Sequence, residues 1–196
     1  MPESATPQIV VIGGPNGAGK STLARLALPE AMPFVNADEI AKTLPDHFSG
    51  NRDLEAGRLL LARVEELSAA NTSFALETTL SNRSLAARIR RLRAKGWSFR
   101  LIFVWVPSAE TSILRVAARV RRGGHHIPEE TIRRRYAAGL KNLTETYLPL
   151  ADSWLVYQNA EEQGPQIVAT GGPGRETAVY DAQTWATIKQ APTDEA

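Results

Sequence analysis

Short β-branched runs alternate along the chain with longer stretches whose apolar residues recur every three or four positions, the signature of an α/β protein. Gln8-Ile9-Val10-Val11-Ile12 predicts a buried strand, and Ser21–Leu28 opens a helix that Leu28-Pro29 and Met32-Pro33 interrupt. Phe34-Val35 makes a very short strand; Asn36 then caps a new helix, with Glu39 at the capping-box position. From Asn51 to Ala70, residues Leu54, Leu59, Leu60, Val64 and Leu67 keep helical period, and Gly57 inside that run predicts close packing or ligand approach. Ser73–Glu77 reads as a strand ending in a carboxylate, and Ser81 as the cap of a helix through Lys95. Phe99–Val106 is the most strand-like segment. A helix capped at Pro107-Ser108 runs to about Arg121, Gly123–Pro128 breaks it, and another runs from Pro128 toward Tyr147. Trp154–Tyr157 is a late strand, 161–164 a loop, 167–170 with 177–180 a β-hairpin, and 183–190 a terminal helix.

This order predicts a three-layer α/β fold. A mostly parallel sheet of about five strands carries helices on both faces, with an arginine-rich helical lid and a C-terminal β-hairpin. The expectation is a single domain over residues 1–196, with 1–7 a loose lead-in and 191–196 a frayed tail.

Composition narrows the function classes. The 196 residues are 43% hydrophobic and 22% charged with net charge +2, ordinary for a globular protein. That charge does not by itself argue for nucleic acid, although the pI of about 9.1 leans basic. The arginines of 88–95 read as a solvated helix face rather than a nucleic-acid patch. With no cysteine there is no disulfide or thiolate chemistry. No signal-peptide pattern or membrane-length apolar run is visible, so the expectation is a cytoplasmic monomer without membrane contact.

The chemistry begins at Gly14-Pro15-Asn16-Gly17-Ala18-Gly19-Lys20-Ser21, which fits G-x-x-x-x-G-K-[ST] between a strand and a helix. In that setting backbone N–H groups and the helix N-terminus face an anion. Residues 14–22, Thr22 included, would hold ATP, with Lys20 on the β- and γ-phosphates and the Ser21 hydroxyl on Mg²⁺. Asp38, just past the next strand, lies at the sheet edge where ligands bind. It is either a base accepting the proton of an attacking hydroxyl or a helix-start acid, a role Glu39 fills equally well. No aspartate ends strand 99–106, so the burden near the metal falls on Asp38 or Glu77. The block from Arg115 to Arg135 reads as a lid that brings guanidinium groups onto a transferring phosphoryl and excludes water. His125 and His126 read as exposed loop residues. Asn159 reads either as a border of the adenine pocket or as a turn residue.

Five ordered motifs resemble the zeta toxin family: Gly13–Thr22, Val35–Ala41, Ala56–Arg58, Glu77–Ser81 and Gly123–Glu129, within a resemblance running from about residue 9 to 160. It implies a P-loop NTPase/kinase fold and an ATP-dependent kinase whose well-known relatives phosphorylate the sugar 3′-hydroxyl of UDP-N-acetylglucosamine and are restrained by an antitoxin protein. It also implies Asp38 as base, Lys20 and Ser21 in the donor site, and Glu77 and Thr79 along the acceptor. Two lid arginines would contact phosphates, drawn from Arg119 or Arg122 with Arg134 or Arg135. The acceptor side is expected to use Asp38, Glu39, Arg58, Glu77, Thr78 and Thr79. The chain is shorter than the classical toxins and resembles a compact chromosomal subgroup with a different lid. Two alternatives stay open: a kinase for another hydroxyl (a sugar, an antibiotic or a nucleic-acid end), and a nucleotide-binding switch without phosphoryl transfer.

Overall fold

The computed structural model describes residues 6–45, 49–160 and 164–190. Residues 1–5 of the expected 1–7 lead-in, part of the 161–164 loop and the expected tail at 191–196 lie outside the described residues.

One sheet organises the molecule. Strands β1 (Gln8–Gly13), β2 (Phe34–Val35), β3 (Phe74–Thr78), β4 (Ser98–Trp105), β5 (Ser153–Ala160), β6 (Gly164–Gly172) and β7 (Arg175–Val179) lie in the order β2-β3-β1-β4-β5-β6-β7. The pairings from β2 to β5 are parallel, and β6 and β7 add antiparallel. The five expected parallel strands are present, and the hairpin extends the same sheet to seven.

Strand β1 shows why the sheet is covered on both faces. Its side chains alternate, so Ile9 and Val11 join one core while Val10 and Ile12 join another with Ala24 of helix α1 (Lys20–Ala27). The larger core takes residues from α3 (Arg52–Ala69), α4 (Ser84–Arg93), α6 (Glu129–Asn142) and α8 (Ala182–Lys189), whose Trp185 stacks on Trp154 at 5.5 Å. Helices α5 (Ala109–Val120) and α6 also share a small core of their own, Val116, Ile127 and Ile132. The expected lid is therefore packed as a unit.

Several boundaries moved for local reasons. Asn36 does cap α2 (Ala37–Thr43) by accepting from the Asp38 N–H, but Glu39 turns outward to Lys42 instead of completing a capping box. Ser81 does not cap α4; its hydroxyl pairs with Thr79 Oγ1, and Asn82 Oδ1 takes the Ser84 N–H. A Cβ on Gly57 would meet nothing within 4 Å, so close protein packing does not explain that glycine. The long helix toward Tyr147 passes through a π-helical turn at Leu143–Tyr147 into the short α7 (Leu148–Leu150). The arginines of α4 lie on the expected solvated face, with Arg88 paired to Glu65 and Arg93 to Asp152.

Candidate active site

The 14–21 loop takes the shape its glycines allow. Gly14, Gly17 and Gly19 have φ of +145°, +73° and +91°, which residues with a Cβ rarely adopt. A Cβ on Gly14 would fall 2.2 Å from the Val104 carbonyl, so the loop is seated directly against the end of β4. Asn159, at the end of β5, donates to the Ala18 carbonyl at 2.8 Å, and its carbonyl accepts from Arg115 at 2.9 Å. Asn159 thus braces the loop from behind and is bound into the site.

Inside the loop a charged knot is closed by Glu77. Its Oε2 accepts from Ser21 Oγ at 2.7 Å and from Asn36 Nδ2 at 2.8 Å. Its Oε1 lies 3.6 Å from Lys20 Nζ, and the two side chains are only 6% (Lys20) and 12% (Glu77) exposed. Lys20 also donates to the Pro15 carbonyl at 2.9 Å. Burial holds the Lys20 ammonium below its ordinary pKa, while Glu77 and then Asp38 pull it back up. Parallel pairing of β1 with β3 produces this knot, because Ile12 aligns with Glu77 just before β1 enters the loop.

Asp38 stands across the mouth, its side chain 48% exposed and 3.5 Å from Arg119 Nη1. A half-exposed pair of this kind is worth at most about 1 kcal/mol, so an incoming phosphate can replace it. Arg119 also donates to the His125 carbonyl at 3.2 Å, and its Nε is buried without a hydrogen-bond partner. Gly124 makes that placement possible, since a Cβ there would lie 2.6 Å from Arg119 Cγ.

Between loop and lid lies a cleft of about 830 Å³ lined by Gly17, Lys42, Arg115, Arg119, Arg122 and Asn159, among others. Of the four lid arginines expected, Arg119 and Arg122 line it; Arg134 and Arg135 of α6 do not. Both histidines of the lid loop are exposed, and His125 lines the cleft. Arg58 pairs with Glu55 on an exposed face, and Glu39 with Lys42, so neither reaches the Glu77 knot. Thr78 Oγ1 accepts from the Leu80 N–H, and Thr79 Oγ1 lies 2.9 Å from Ser81 Oγ.

Sequence reasoning did not single out two members of the site, naming Arg115 only as the start of the lid block. Arg115 stands four residues before Arg119 and seven before Arg122, the spacing of one helix face, and that was the signal for it. Asn36 was read as a cap only, and its second bond, to Glu77, needed the fold to be seen.

A glycine loop between strand and helix, a buried lysine beneath it and a basic lid over it define a P-loop kinase. A model of the zeta toxin family matches residues 1–164, and the chain belongs to that family. An uncharacterised protein of Haemophilus influenzae is 29% identical over 123 residues, covering 63% of this chain and 88% of that protein. Among solved structures, the AvrRxo1-ORF1:-ORF2 complex with ATP superposes with a TM-score of 0.76 at 17% identity, over 99% of this chain and 67% of that one. The PezAT chromosomal toxin–antitoxin system of Streptococcus pneumoniae gives 0.66 at 19% identity, over 96% and 79%. At these identities the two structures speak for the fold. No helix among the described residues is long and apolar enough to cross a membrane.

Proposed function

We propose that the protein transfers the γ-phosphoryl group of ATP to a hydroxyl of a small molecule, a UDP-N-acetylglucosamine-like nucleotide sugar being the first candidate. One observation carries the reading: Asp38 and Arg119 face each other across the mouth of a P-loop whose lysine is already clamped by Glu77. A carboxylate at that place suits the proton of an attacking hydroxyl. The neighbouring guanidinium, with one buried donor lacking a partner, suits the charge of a transferring phosphoryl.

Each residue then has a task. The phosphate loop and Lys20 bind the triphosphate, and Asn159 with Arg115 keeps the loop in register. Ser21 and Glu77 present a hydroxyl and a carboxylate side by side, a hard oxygen set that fits Mg²⁺ shared with phosphate oxygens. When bound, that ion would neutralise charge on the β- and γ-oxygens. Asp38 takes the acceptor proton, Arg119 and Arg122 hold the transferring group, and the lid excludes water as a competing acceptor. The family and the toxin–antitoxin complex among its structural relatives support a protein antitoxin as partner.

The test is γ-labelled ATP with UDP-N-acetylglucosamine, the product identified by mass. Asp38→Ala is expected to abolish transfer and retain ATP binding. Wild-type turnover by that variant would refute the base assignment. Label on oligonucleotide 5′-ends alone would refute the nucleotide-sugar acceptor, and tight ATP binding with no labelled product would favour a switch.

A further inference from the structure

The turn after Glu77 is held far more tightly than a connection requires. Leu80 is fully buried yet has φ +60°, a left-handed conformation disfavoured for a residue with its side chain. Such a residue persists only where its surroundings over-determine it, and these cases gather at functional sites.

The surroundings are specific. The Leu80 N–H donates to Thr78 Oγ1 at 3.1 Å, and the Leu80 carbonyl accepts from Asn142 Nδ2 at 2.8 Å. The Asn82 carbonyl accepts from the Tyr147 hydroxyl at 3.0 Å, and Arg83 Nε donates to Asn142 Oδ1 at 2.9 Å. Gly139 lets α6 pass so close that a Cβ there would lie 2.5 Å from the Thr79 carbonyl oxygen. On the other side the Leu80 side chain fills the space beside Gly13, where a Cβ would lie 2.9 Å from Leu80 Cγ, and the Gly14 N–H donates to the Thr78 carbonyl at 3.2 Å. The turn therefore touches the root of the phosphate loop and follows directly on Glu77.

The anchors come from the π-helical segment. Asn142 and Tyr147 are five residues apart, which a regular α-helix would set about 140° apart around its axis. The wider i→i+5 turn at Leu143–Tyr147 brings both onto the side that faces 80–82. Asn142 is 4% exposed and has partners at both ends of its amide, so it is committed to this contact.

We propose that Asn142 is a positioning residue for acceptor recognition: its hydrogen bond to the Leu80 carbonyl holds Thr79 and Ser81 as a preformed hydroxyl pair that receives a hydroxyl-bearing acceptor. This rests on the phosphotransfer reading above. The paired hydroxyls, 2.9 Å apart, offer both a donor and an acceptor to a sugar-like molecule at the ligand edge of the sheet.

The experiment uses the full chain, γ-labelled ATP and serial dilutions of a small-metabolite extract, with UDP-N-acetylglucosamine in parallel. ATP affinity and thermal stability are measured on the same samples. Asn142→Asp keeps the shape and the Arg83 contact but loses the donor; Gly139→Ala presses on the turn without touching Asn142. Because small misplacements are costly in phosphoryl transfer, both variants are expected to raise the apparent KM for the acceptor about tenfold or more, with ATP affinity within about twofold of wild type. ATP and acceptor constants shifting together, or a lower melting temperature with neither constant changed, would reduce Asn142 to a structural role and overturn the proposal. A wild type that labels an extract component but not UDP-N-acetylglucosamine refutes the nucleotide-sugar acceptor, and the variants are then read on that component. A wild type that labels nothing overturns the phosphotransfer reading and this inference with it.

Discussion

Replacing Glu77 by Gln separates charge from shape at the centre of the site. Ser21 and Asn36 both donate to Oε2, whereas Lys20 faces Oε1. A glutamine with its oxygen at the Oε2 position keeps both hydrogen bonds and puts an NH₂ toward the buried ammonium. At the observed separation of 3.6 Å, and an effective dielectric of about 20, the direct attraction lost is roughly 4–5 kcal/mol. Desolvation of both ions already offsets much of that in the native state, so a net loss of about 2 kcal/mol is expected. For a chain of this size that lowers Tm by about 4–8 °C. Glu77→Ala should cost more, because Asn36 Nδ2 and Ser21 Oγ also lose their acceptor, at about 1–3 kcal/mol for a buried group left unpaired. The decisive measurement is a double-mutant cycle with Lys20→Met, read by urea denaturation. A coupling of about 1–3 kcal/mol between positions 20 and 77 is expected, since the residues are in contact. A coupling below about 0.5 kcal/mol would mean that the pair is not an interacting unit. Glu77→Ala no less stable than Glu77→Gln would show that the two hydrogen bonds contribute nothing.

Asp38→Asn should lower kcat by about 10²–10⁴-fold, the range for losing a general base, with ATP affinity retained in a fluorescence titration. Gly124→Ala, whose Cβ would press on Arg119 Cγ at 2.6 Å and on its carbonyl oxygen at 2.9 Å, should displace Arg119 from the Asp38 mouth, lower kcat about tenfold and lower the melting temperature; an unchanged kcat would remove Arg119 from the transfer step. Alkaline stability carries two opposed terms. Burial pushes the Tyr136 and Tyr147 phenols up to about 12, against about 10 in the unfolded chain. Between those values the fold retains protons that the unfolded chain releases, so stability falls as pH rises through that window, and Tyr147→Phe should flatten the fall. Lys20, lowered by burial, acts oppositely: below about 10.5 the unfolded chain binds the extra proton, so its term raises stability with pH, and Lys20→Met should remove that rise in urea midpoints measured across pH.

Much of this was legible because it is local. The phosphate loop announces itself by residue type and spacing, and the alternation of strand and helix places Asp38 and Glu77 at one edge of a parallel sheet. The Asn36 and Ser108 caps were readable for the same reason, since a cap bonds within three residues of itself. What stayed hidden was contact between distant segments. Glu77 and Ser21 are 56 positions apart and meet only because β1 and β3 are neighbours in the sheet. Nothing local marks Asn36 as a donor to Glu77, 41 residues on. The expected contribution of Arg134 or Arg135 followed from the family resemblance, whereas helix phase decides which lid arginines see the cleft.

The turn at Leu80 shows why acceptor-side chemistry is the harder half to read. A phosphate is bound chiefly by backbone, so the sequence must carry the glycines that shape that backbone, and they are visible. A hydroxyl acceptor is met by side chains whose placement is delegated to other elements. Leu80 has no sequence feature that predicts φ +60°, and Asn142 lies 62 residues beyond it in a helix whose π-helical turn no periodicity announces. The phosphate loop is written in one stretch of chain, while the acceptor wall proposed above would draw on β3, the turn after it and the far end of α6. Relatives of this protein that share the phosphate loop but differ at positions 139, 142 and 147 are therefore expected to differ in acceptor before they differ in nucleotide. Comparing acceptor panels for wild type and Gly139→Ala tests this directly, because a change in ATP preference would show that the two halves of the site are not separable.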